Sequence, residues 1–143
     1  MRLRGQSAAF APYTITLLRV LVGITFLLHG LPKIGNLAGF GGFLGSLGVP
    51  LPGVMAVVVM LVEVVGGLAL IVGLGTRIAA ILLAIDMLVA TVLFKLPQIG
   101  FIAPQGQGTG AELDLLLLVS CLVILGFGAG PLSIERNVLR REA

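Results

Sequence analysis

The chain has 143 residues, of which 58% are apolar and 10% charged, with a net charge of +3. Its mean hydropathy is +1.18. A soluble domain carries about 25% charged residues, so this composition excludes an ordinary soluble domain, a disordered segment and a secreted mini-protein. The class is an integral membrane protein, and the length suits one compact membrane domain over residues 1–143. Cys121 is the only cysteine, which excludes an intrachain disulfide, a CxxC pair and a thiolate zinc site. His29 is the only histidine, so one chain cannot supply bis-histidine haem ligation. The pI of 9.8 does not point to nucleic acid, because the cations lie mostly at segment ends.

A spanning helix needs about 20 apolar residues. Four runs qualify: residues 13–31, 54–74, 77–96 and 112–130. They are continuous rather than alternating, so helices rather than barrel strands are expected. The predicted fold class is an all-α membrane four-helix bundle. Arg2 and Arg4 precede the first run without an A-x-A-like cleavage site, which predicts a retained first helix rather than a signal peptide. No repeat of 20–50 residues suggests a repeat transporter.

Pro32, Pro50, Pro52, Pro97, Pro104 and Pro131 punctuate the runs, and Gly73 and Gly75 bracket a tight turn before Thr76. Arg2, Arg4, Arg77, Arg136, Arg140 and Arg141 collect on one side, against Lys33 and Lys95 on the other. The positive-inside rule then places both termini in the cytoplasm and the loops 32–53 and 97–111 outside. Phe10 and Tyr13 suit the inner interface. In the first outer loop, Leu37, Phe40, Leu44 and Leu47 recur at helical spacing beside Phe43. This predicts a short interfacial helix capped at Gly48, or an irregular apolar loop over the bundle.

An ionisable side chain at membrane depth demands a partner or a task. Arg19, Glu63 and Asp86 stand out. Counted from the cytoplasmic span ends they lie about 9, 16 and 13 Å deep, so the three are expected in one layer, with Arg19 paired to Glu63. The layer reads either as a ligand or proton site or as an ion-pair lock between helices. Gly66, Gly67, Ala69 and Gly73, with Ala80 and Ala84, predict close helix approach. A second polar set comprises His29, Lys33, Lys95, Gln98, Gln105, Glu112 and Asp114. Glu112 and Asp114 also complement the positive end of the fourth helix. This set offers no convincing metal site. The glycines at 126, 128 and 130 close a helix and do not form a nucleotide loop. Ser133 is expected to cap a short helix in a basic tail, 131–143, on anionic headgroups.

Leu18-Arg19 with Gly23, Phe26, His29-Gly30 and Lys33 resemble the DoxX family of small bacterial membrane proteins. So do Glu63 with Gly66-Gly67, Leu70, Gly73 and Thr76-Arg77, and the run Gly128-Ala129-Gly130-Pro131-Leu132-Ser133-Ile134-Glu135. The family often has Asp where Glu135 stands. The resemblance covers nearly the whole chain and implies a four-helix bundle in a bacterial inner membrane, linked to respiratory redox. With no dithiol or metal centre in the chain, any redox cofactor would be quinone or one supplied by a partner. Three functions compete: a quinone-interacting subunit of a membrane oxidoreductase, a non-catalytic anchor for a soluble oxidoreductase, and a small transporter that would need to form a homo-oligomer.

Overall fold

The computed structural model describes residues 3–139. Arg2, Arg140, Arg141 and Glu142 lie outside the described residues, and of Arg4 only the backbone is described. The helices are α1 (Leu3–Ile34), α2 (Leu37–Ser46), α3 (Pro52–Val72), α4 (Thr76–Ala90), α5 (Ala111–Phe127) and α6 (Ile134–Asn137). Beyond α4 the same rod continues as a π-helical stretch, Thr91–Ile99. α1 packs on α3, α3 on α4, α4 on α5, and α5 returns to α1, which closes a ring of four helices.

α1, α3 and the rod formed by α4 with its π extension are long and apolar enough to cross a membrane. α5, with 17 residues, is about 25 Å long and sits at the short limit for a span. Apolar side chains cover both surfaces of the bundle. Phe26, Leu70, Leu83 and Ile124 are buried inside, while Leu17, Leu68, Ile78 and Leu116 are exposed outside. Helices that are apolar all round belong in lipid, and the outer ring contacts the bilayer.

Two elements depart from the expected ends. α1 runs through Pro32 to Ile34 instead of stopping before it. Pro32 sits in the last turn, where a proline removes only one helical hydrogen bond. The third span does not stay α-helical to residue 96. From Thr91 it widens into π geometry that carries Pro97. The fourth helix ends at Phe127, where Gly128 takes a positive φ of 77°.

The loop 32–53 contains the expected short helix, tucked against α3. Asn36 caps it, its side chain accepting from Gly39 N at 3.2 Å. Gly48 turns the chain out of it with a φ of 78°. Buried Gly41 sits against Gly53 and Pro52, so α2 can lie close to the start of α3.

The register of α1 on α3 is fixed by glycine. A Cβ added at Gly23 would meet Gly67 O at 2.7 Å, and one at Gly30 would meet Glu63 Cβ at 2.9 Å. Both distances are too short for any side chain, so the backbones meet directly at these points. This pairing sets Glu63 level with the turn that carries His29 and Lys33.

Candidate functional site: a cavity at the loop end of the bundle

A cavity of about 230 Å³ opens between α1, α2, α3, α4 with its π extension, and α5. Most of its wall is apolar: Phe40, Phe43, Leu44 and Leu47 from α2, Val59 from α3, and Met87, Leu93 and Phe94 from α4 and its extension. Phe43 meets Phe94 edge-on, with ring centroids 4.9 Å apart, and stacks on Phe40 at 6.3 Å. The π stretch brings Phe94 and Lys95 to the same wall. Its wider turns change which residues face inward, and such insertions recur at functional sites.

Six ionisable groups enter this apolar pocket: His29, Lys33, Glu63, Asp86, Lys95 and Asp114. Lys33 forms a salt bridge to Glu63. Its ammonium also donates to His29 O at 3.1 Å and lies 5.1 Å from the Phe40 ring centre. His29 Nδ1 lies 2.8 Å from Thr25 O. A carbonyl only accepts, so the proton is on Nδ1 and Nε2 keeps its lone pair in the neutral ring. Lys95 donates to Thr109 O at 2.6 Å and Thr109 Oγ1 at 3.3 Å, and lies over Phe94. Asp86 lies against Glu63. Oδ2 of Asp86 and Oδ2 of Asp114 are buried with no hydrogen-bond partner. Asp114 as a whole is 6% exposed. Among the described residues, no group of three or more His, Cys, Asp or Glu is placed to hold a metal ion.

The expected layer of Arg19, Glu63 and Asp86 is not formed as a unit. Glu63 and Asp86 come together, but Arg19 lies at the other end of the bundle. Its guanidinium donates to Leu70 O at 2.6 Å, Ile71 O at 3.4 Å and Leu132 O at 2.6 Å. The cause is the register. Gly30 stands opposite Glu63, and Arg19 is about 16 Å before Gly30 along α1. That is beyond the reach of an arginine. The depth count failed because it started α1 at residue 13, whereas the register depends on where glycines let α1 and α3 touch. Arg19 is 1% exposed, and of its nitrogens only Nε lacks a partner.

The outer candidates divide as well. His29, Lys33 and Asp114 join Glu63 and Asp86 at the cavity. Glu112 does not line it. One carboxylate oxygen of Glu112 accepts from Gly110 N at 3.2 Å at the start of α5, where a negative charge complements the helix end. Sequence reasoning treated Phe40 and Phe43 only as loop apolars and did not single out Phe94. Their shared wall has no linear signature, since it depends on α2 folding back against the π stretch.

Around Arg19 the chain builds a second polar junction. Glu135 N donates to Gly73 O at 3.0 Å, and Gly75 N donates to Glu135 Oε1 at 2.8 Å. Ser133 caps α6 as expected, its hydroxyl accepting from Arg136 N at 3.3 Å. The segment 132–135 thereby ties the α3–α4 turn to α1. The glutamate does here what its position requires: it accepts from a backbone amide.

The family model for DoxX matches residues 14–96. That stretch carries Arg19, His29, Lys33, Glu63 and Asp86, and stops before Asp114. "Putative oxidoreductase CatD" of Bacillus subtilis is 36% identical over 126 residues, covering 87% of this chain and 86% of that protein. "Uncharacterized membrane protein Rv3486" of Mycobacterium tuberculosis is 34% identical over 140 residues, covering 93% and 86%. An uncharacterized protein of Haemophilus influenzae is 30% identical over 140 residues, covering 92% and 96%. No solved structure matches the chain. The relatives match 87–93% of the chain, and the chain belongs to the DoxX family.

Proposed function

We propose that this protein is a redox-linked membrane subunit whose loop-end cavity holds a quinone headgroup. The observation that carries the reading is the pairing of an aromatic-walled cavity with buried, unpartnered carboxylate oxygens on Asp86 and Asp114. Ligand sites are mostly apolar with a few convergent polar groups, and a flat ring with polar substituents at its edge matches both parts. The name of the Bacillus subtilis relative, an oxidoreductase, supports the redox class. Quinone would supply two-electron, two-proton chemistry when bound. The chain's own residues would then do three things. Phe40, Phe43 and Phe94 would enclose the ring and exclude water. Lys33 would hold Glu63 in place beside Asp86. His29 Nε2, Asp86 and Asp114 would meet the polar edge and exchange protons with it. Electrons would pass to or from a partner oxidoreductase in the same membrane.

With both termini in the cytoplasm, as the partition of cations suggests, the cavity would open toward the outer face of the bacterial inner membrane. The test is purification from native membranes in mild detergent, followed by mass spectrometry of the extracted lipids. About one quinone per chain is expected in the parent protein. It should be lost in Val59→Trp, which fills the cavity, with melting temperature retained. Quinone no more abundant than in an unrelated membrane protein from the same membranes would overturn the reading.

A further inference from the structure

Among the side chains that line the cavity, the buried atoms left without a hydrogen-bond partner are carboxylate oxygens. Every side-chain nitrogen donor that lines it is already engaged. Lys33 is divided among Glu63, His29 O and the Phe40 ring. Lys95 is divided between Thr109 and the Phe94 ring. The His29 Nδ1 proton is held by Thr25 O. What remains buried and unfilled is Asp86 Oδ2 and Asp114 Oδ2. Asp114 is more than nine-tenths buried, so water does not reach its free oxygen from an open surface. A buried polar atom left unpaired is costly, and a ligand that completes it gains most when it brings O–H or N–H groups.

A cationic ligand fits poorly. Two lysine ammoniums already stand at the cavity wall, and each lies near the ring of an aromatic residue that would otherwise attract an organic cation. The matching ligand is therefore neutral, flat and hydroxylated.

We propose that the cavity selects the reduced, dihydroxy form of a quinone, a hydroquinone that donates its hydroxyl hydrogens to Asp86 and Asp114. The inference rests on the quinone reading and adds a preference which that reading does not contain. An oxidised quinone offers only acceptor oxygens to a site whose spare capacity also accepts. Sites built to pair a hydroxyl reject analogues lacking it far more strongly than apolar pockets reject a missing methylene.

The experiment measures binding of three short-tailed probes of one ring to the purified full chain in detergent, anaerobically: the hydroquinone, its quinone, and its dimethyl ether. The ether keeps the shape and removes both donors. The hydroquinone is expected to bind at least about tenfold more tightly than either of the others. Asp86→Leu and Asp114→Leu should each erase that difference. Asp86→Asn and Asp114→Asn, which retain an accepting oxygen, should keep part of it and serve as controls if the leucine variants do not fold. Equal binding of all three probes, or tighter binding of the quinone, overturns the donor preference and leaves the quinone site standing. Binding of none of them by a folded parent chain overturns the site itself.

Discussion

At the end of the bundle that carries the termini, a buried guanidinium meets three backbone carbonyls drawn from the end of α3 and from the segment after α5. At the opposite end, buried Asp114 and half-buried Asp86 each keep a buried oxygen with no partner. Between them lies an apolar layer of Phe26, Leu70, Leu83, Cys121 and Ile124. Both ends place charge at membrane depth, where it is expensive. The Arg19 guanidinium nearly exhausts its bonding capacity within the chain, with only Nε unmet, although Glu135 Oε2 beside it has no partner; Asp86 and Asp114 make no comparable bonds. A charge satisfied internally is a fastening; a charge left with spare capacity is available to something from outside. By this criterion Arg19 holds the fold, and the Glu63–Asp86–Asp114 cluster, which alone lines the cavity, is the candidate site.

The sharpest way to break the comparison is Arg19→Ala. It removes two short charge-assisted bonds and one long one, and leaves carbonyls of α3 and Leu132 unmet. A loss of about 3–5 kcal/mol is expected from hydrogen bonds to a charged group at about 1.5–3 kcal/mol each. It should show as failure to fold or a large drop in melting temperature in detergent. If Arg19→Ala melted like the parent, the termini end would not be a fastening.

Lys33→Ala should cost less, about 1–2 kcal/mol, because Lys33 is 19% exposed in its side chain and its pair with Glu63 falls between surface and buried cases. A double-mutant cycle separates the two ends more cleanly. Lys33 and Glu63 should couple by more than about 0.5 kcal/mol, whereas Arg19 and Glu63 should be additive within that margin. Coupling of Arg19 to Glu63 would restore the single layer that the register rules out.

The smallest stability effect is expected at the cavity. Asp86→Asn and Asp114→Asn remove charge without removing a formed ion pair, so each variant should melt no lower than the parent. Residues kept for function at the expense of stability behave this way. A loss above about 1 kcal/mol in either would mean that its carboxylate is internally satisfied after all.

Much of this could be read from the chain. Continuous apolar runs located the four long helices, and the spacing of Leu37, Phe40, Leu44 and Leu47 predicted α2. The ionisable residues announced themselves one by one, because each is costly in a span. Their grouping was not legible. Which charges meet depends on the axial offset between helices, and that offset is set where Gly23 touches Gly67 and Gly30 touches Glu63. A glycine in a sequence signals closeness but not its counterpart. The π stretch was equally hidden, since Thr91 to Phe94 simply continue the apolar run of the third span and only the packed chain shows the wider turn. Glu112 was grouped with the site from its side of the membrane, yet its local helix end claims it.

The junction between segment 132–135 and the α3–α4 turn also has a consequence for assembly in time. Leu132 O, Glu135 N and Glu135 Oε1 are the counterparts of Arg19, Gly73 and Gly75. All three are synthesised after the last long helix. During translation Arg19 and the α3–α4 turn therefore enter the membrane with their bonding incomplete, and stay so until the chain beyond α5 emerges. The late segment acts as a clasp. The helices can pack as they are made, but the bonds that tie α1 to the α3–α4 turn are completed only by this last segment.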